Sequence, residues 1–218
     1  MRFIPILAAM LLALPALAGP ASDRIFSTAA LDLVKTGQQV IYTHIREGNA
    51  GEELQLLPDG EIRIRVQNDA EQKREAVVTM GPIGKLKPVS IWPASSGNPI
   101  LPIFLESALR AMSRTTGGSS FYIRNRIKEA LGAGGQMNTV TLDVAGKQVT
   151  GTEIVFPLFE NDKNRDRMGA FKDMSLTFVV SDQTPGDISR FTAQTPEDAN
   201  GIAYREEIRF SELTKAEE

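Results

Sequence analysis

Apolar and polar positions alternate with period two over much of this chain, and three stretches change to a helical period. Ile62, Ile64 and Val66 alternate with Glu61, Arg63, Arg65 and Gln67. Val140, Leu142 and Val144 alternate with Thr139, Thr141 and Asp143, while Met174, Leu176, Phe178 and Val180 make a further apolar row. This pattern marks strands with one face in a core and the other in water. Strands are expected at 38–46, 52–57, 61–67, 73–80, around 89–92, and at 139–144, 147–158, 174–181, 187–194 and 203–211. Pro58-Asp59-Gly60 predicts a hairpin turn between the second and third of these.

The helical stretches stand before and between the strand groups. Residues 23–35 predict a first helix, capped by Asp23, striped by Phe26, Ala29, Ala30, Leu33 and Val34, and stopped at Gly37. Residues 101–113 predict a second, apolar nearly all round, whose polar strip is Glu106, Ser107, Arg110 and Ser113. Such a helix must be covered on most sides. Residues 121–131 predict a third, with Ile123, Ile127 and Leu131 on one stripe. Short connections between strands imply antiparallel pairing. The expected fold is therefore α+β: a strongly bent, half-barrel-like antiparallel sheet with an N-terminal helix and a central two-helix lid.

Residues 1–18 carry one charge at Arg2, an apolar run from Phe3 to Leu17 and a small-x-small exit at Ala16-Leu17-Ala18. These are the parts of a secretory signal peptide, and the run is shorter than the roughly 20 residues that span a bilayer. The expectation is a periplasmic or secreted protein with no membrane span after cleavage. Residues 19–213 would form one α+β domain and 214–218 a charged tail. Loss of residues 1–18 removes one arginine and no acid, moving the net charge from −3 to −4. This mild acidity argues against nucleic acid as a partner. The absence of cysteine excludes thiol chemistry, iron–sulfur clusters and a lipid-modified lipoprotein, and one histidine excludes a multi-histidine zinc site. No cofactor is expected.

Several residue groups could carry function. The apolar 100–112 segment reads as plain core or as a lid over an apolar cavity, with Ile103, Phe104, Leu105, Leu109 and Met112 against a hydrophobic small molecule or lipid, and Thr115–Gly118 as a hinge. Arg124, Arg126 and Lys128 give the next helix a basic side, suited to an anionic head group or surface, or simply to water. Asp162, Asn164 and Asp166 have the one-three-five spacing of a calcium loop, with Asp173 at the twelfth position. Arg167 stands where that loop needs glycine, and the alternative is a solvated loop whose acids and bases pair with one another. His44 reads as a hydrogen-bonded structural histidine. Glu153 and Glu206 interrupt apolar rows, a position suited to paired acid–base carboxylates or, more simply, to a sheet edge in solvent.

The order of elements resembles the LolA-like half-barrel of lipoprotein carriers across most of residues 23–211. The segment from Thr115-Thr116-Gly117-Gly118 to Arg124-Asn125-Arg126 is similar to segments of exported bacterial proteins of no assigned activity. The resemblance implies a carrier or binder of lipid-like ligands. Two other readings are an envelope structural or interaction protein, its partner unspecified, and a carboxylate-dependent hydrolase.

Overall fold

The computed structural model describes residues 19–49 and 60–216. The signal segment, the 52–57 strand and most of the Pro58-Asp59-Gly60 turn lie outside them. The chain order is α1 (Pro20–Ile25), β1 (Gln38–Glu47), β2 (Gly60–Asn68), β3 (Arg74–Pro82), β4 (Lys87–Pro93), α2 (Ile100–Thr116), α3 (Ser120–Ala133), β5 (Gln136–Val144), β6 (Lys147–Pro157), β7 (Ser175–Val180), β8 (Ile188–Gln194), β9 (Glu197–Asp198), β10 (Gly201–Ile202) and β11 (Arg205–Lys215). A 3₁₀ segment, Arg165–Asp173, precedes β7.

Nine strands form one curved, open antiparallel sheet in the order β4-β3-β2-β1-β11-β8-β7-β6-β5. The fold is α+β, and its two halves meet where the first strand pairs with the last, from Gln38 opposite Lys215 to Glu47 opposite Arg205. Alternation decides the faces. Val40, Tyr42, Ile62, Ile64, Val66, Ala76 and Val78 are buried on one side of the first half, and Ile154, Phe156, Leu176, Phe178 and Phe191 on the same side of the second. Helices α2 and α3 cover this face.

Helix α2 is seated by aromatic packing. The Phe104 ring lies 5.9 Å from Phe178 and 5.4 Å from Phe191, and these two are 4.8 Å apart, edge to face. Offset and edge contacts of this kind add to the burial itself. At the helix start, the Asn98 amide donates to the buried Tyr42 hydroxyl (3.0 Å) and to the Gly186 carbonyl (2.7 Å), while its oxygen accepts from Ile100 N–H (3.0 Å). At its end, the Ser113 hydroxyl donates to the Gly118 carbonyl (2.7 Å), and the Thr116 hydroxyl bonds back to Met112 (2.7 Å).

The first helix is shorter than its pattern predicts. It starts at Pro20, so Asp23 lies within its first turn and does not cap it, and it ends at Ile25; residues 27–36 run as turns. Arg74 of β3 explains this, because its guanidinium takes the carbonyls of Leu31 (3.0 Å) and Val34 (2.7 Å). Buried carbonyls satisfied by a side chain need no helix to satisfy them. Leu31 and Val34 still reach the core.

Candidate functional site

A cavity of about 500 Å³ lies between α2 and the β3–β4 edge of the sheet. Met80, Val89, Trp92, Pro102, Ile103 and Ala111 make its apolar lining, and Arg46, Glu106, Ser107, Arg110 and Arg114 its polar one. Local sequence places each wall. Between Val78 and Thr79 the β3–β4 register shifts, so Val89 has no partner across the ladder. A bulge of this kind re-aims a side chain, and Val89 lines the cavity. The Trp92 indole N–H donates to the Ser90 hydroxyl (2.8 Å), which satisfies its polar edge and leaves the ring for the wall. On α2, residues 103, 106, 107, 110, 111 and 114 share one side by helical spacing.

Behind Arg46 lies a buried polar network. Tyr42, His44 and Arg46 occupy one face of β1, opposite Phe210, Ile208 and Glu206 of β11, and Tyr204 lies just before that strand. Glu206 Oε1 accepts from His44 Nε2 (2.7 Å) and from Arg46 Nη2 (3.2 Å), and Oε2 accepts from the Tyr204 hydroxyl. The same Arg46 Nη2 donates to the Ser107 hydroxyl on α2. His44, Tyr204 and Glu206 are buried, while Arg46 reaches the cavity. Burial pushes the Glu206 carboxyl up, but hydrogen bonding and charge from His44 and Arg46, with the Tyr204 hydroxyl, outweigh it and hold the pKa at about 2. The ionised carboxylate can only accept, so His44 Nε2 carries the shared proton. Burial and the Glu206 charge raise the Tyr204 hydroxyl well above its ordinary value. The arrangement holds a guanidinium in place from behind.

No protein-family model and no curated protein matches the chain. Among solved structures it is similar to the Mycobacterium tuberculosis lipoprotein LppX, at 9% identity and a TM-score of 0.40, over 91% of this chain and 97% of that one. It is also similar to a β-barrel-like protein of the DUF1849 domain of unknown function from Brucella abortus, at 10% identity and a TM-score of 0.20, over 83% and 98%. The functional reading rests on the cavity itself.

Of the five lid residues named from sequence, Ile103 lines the cavity. Phe104, Leu109 and Met112 face the core, and Leu105 packs at its margin. The cavity side of α2 is instead the polar strip that the apolar count set aside. Arg124 pairs with Glu106 (3.2 Å), Arg126 pairs with Glu129 (2.5 Å) and lies over the Tyr122 ring, and Lys128 is exposed. In the 160–173 loop, Asp162 accepts from the Tyr122 hydroxyl (2.6 and 2.7 Å) and Asn164 N–H (2.7 Å), Asn164 donates to Tyr122 (2.9 Å), Arg165 takes Asp173, and Asp166 is exposed. Among the described residues no three acidic, histidine or cysteine side chains gather to hold a metal.

Glu206 corrects the sheet-edge expectation. Its strand, β11, lies inside the sheet between β1 and β8, so an inward carboxylate there is buried and must be paired. Glu153 alternates with buried Ile154 and meets Arg190 at 3.7 Å on the opposite face. The two acids form no pair. Sequence reasoning missed Arg46, Trp92, Arg110 and Arg114. A signal was present for Arg46: like Glu206, it is a charged residue in phase with an inward row, and two such residues of opposite sign point to one another.

Proposed function

We propose that the protein is an exported binding or carrier module for a hydrophobic or lipid-like ligand, taken up in the cavity between α2 and β3–β4. The observation that carries this reading is the mixed lining: Trp92, Met80, Val89 and Ile103 offer a concave apolar wall beside a few fixed polar groups. A site of this size and chemistry suits a small apolar ligand held in one orientation. No helix among the described residues is long and apolar enough to cross a membrane. The phenylalanine cluster makes the inner side of α2 core, so its outer side is the one available to the ligand.

The test is extraction of the purified protein followed by lipid mass spectrometry, with stoichiometric binding of an environment-sensitive dye as the second readout. Ile103→Trp, which fills the cavity from a partly buried position, is expected to abolish dye binding and leave the unfolding temperature near that of wild type. Absence of both co-purifying lipid and dye binding sinks the reading. An envelope interaction protein is favoured by a different observation, the position of β4 at the end of the sheet among the described residues, where Ile91 is 63% exposed and nearby Ile83 is 64% exposed.

A further inference from the structure

We infer that the ligand of this cavity is an anionic amphiphile, its carboxylate or phosphate head received by Arg46 and Arg110 and its chain laid against Trp92. The inference rests on the cavity reading above and adds the head group. Its first support is the lining, where the guanidinium groups of Arg46 and Arg110 stand beside a single carboxylate, Glu106. That carboxylate is already engaged on both oxygens, Oε1 by Arg110 (2.9 Å) and Oε2 by Arg124 (3.2 Å). A cationic head entering the cavity would meet arginines first and an occupied acid second.

The second support is how Arg46 is held. A cationic side chain on the inward face of a strand is normally excluded from that position. Here it is retained by Glu206 and Ser107, which share a single nitrogen, Nη2. Its buried Nε has no hydrogen-bond partner. A guanidinium fixed from behind, with donor capacity left, is suited to a carboxylate or phosphate, whose oxygens match its fork. The third support is position: Arg46 and Arg110 share the cavity with Trp92, Met80 and Val89, so one molecule with a charged end and an apolar end satisfies both.

The test is calorimetric titration of the purified protein with dodecanoate, dodecyl phosphate, dodecanol and inorganic phosphate. Both anionic amphiphiles are expected to bind at least about tenfold tighter than dodecanol, the scale of a hydrogen bond to a charged group. Their ratio to one another assigns the head as carboxylate or phosphate. Arg46→Gln is expected to remove most of that preference, read as a larger loss for the anionic chains than for dodecanol, while Arg46→Lys keeps part of it. Arg110 is exposed, so Arg110→Gln folds whatever happens to Arg46, and it should weaken anionic binding about threefold, as loss of an exposed ion pair would. Equal binding of dodecanol and the anionic chains overturns the head-group inference and leaves the cavity reading standing. Binding of none of the chains overturns the cavity reading itself. Inorganic phosphate binding as tightly as dodecyl phosphate overturns the amphiphile.

Discussion

Replacing Glu206 by glutamine tests the buried network in a way that separates charge from shape. The side chain keeps its length and its capacity to accept a hydrogen bond, but loses the charge that faces His44 and Arg46. In the folded protein the carboxyl is held at about 2, against 4.5 for an ordinary glutamate. At about 1.36 kcal/mol per pH unit, that depression corresponds to about 3 kcal/mol of stability. A depressed carboxyl favours the folded state above its unfolded value, so the contribution is complete above 4.5 and is lost as pH falls towards 2. For a chain of this size, 3 kcal/mol moves the unfolding temperature by about 6–12 °C. The assay is urea unfolding of wild type and Glu206→Gln in parallel from about pH 6 to about pH 2. The gap should be about 3 kcal/mol at the upper end and should close at the lower, where the wild-type carboxyl is protonated and as neutral as the amide. Other carboxylates titrate in both proteins and cancel in the difference. A gap that stays constant across the whole range refutes the reasoning.

Further outcomes follow from the same geometry. Phe104→Ala, at the centre of the aromatic cluster and fully buried, should cost about 3–5 kcal/mol in denaturant unfolding. Gly186 has φ +83°, and a Cβ there would meet the Tyr42 hydroxyl and the Asn98 amide, so Gly186→Ala should cost at least about 1–2 kcal/mol and loosen the start of α2, read as faster amide exchange at residues 100–104. The hydroxyls of Tyr42, Tyr122 and Tyr204 are all raised, chiefly by burial, so tyrosinate absorbance of the folded protein should appear at higher pH than that of the unfolded chain. A normal tyrosinate titration in the folded protein would contradict all three placements.

Strand periodicity made most of the sheet legible. The rows at residues 62–66 and 174–180 are local signals, and each became a strand with the expected face inward; the row at 140–144 also became a strand, but its apolar side chains share the outer face with Glu153, and Val140 and Leu142 are only half-buried. The joining of β1 to β11 was not legible, because residues more than 150 apart meet there and no local signal names the partner. The network followed the same rule: His44, Arg46 and Glu206 become neighbours only once that register is set. Helix α2 itself was legible, but which of its sides lines the cavity was not, for another reason. Being apolar nearly all round, it offers several faces to a core, and the phenylalanines of β7 and β8 select one. What remains for the cavity is the polar strip. The first helix was overread: the turns that replace it bury Ala30, Leu31 and Val34 but leave Phe26, Ala29 and Leu33 of the expected stripe exposed, and Arg74 takes two of their carbonyls.

Trp92 is the only tryptophan of the chain, and its ring forms part of the cavity wall. Excited at the red edge of the indole band, where the three tyrosines do not absorb, the molecule therefore emits from a single chromophore at the place where a ligand would sit. No label or competing signal has to be introduced to watch that place. Entry of an acyl chain would exchange water for hydrocarbon beside the indole and shift the emission to the blue, and unfolding would shift it to the red. Occupancy and integrity can thus be read from one spectrum, in opposite directions.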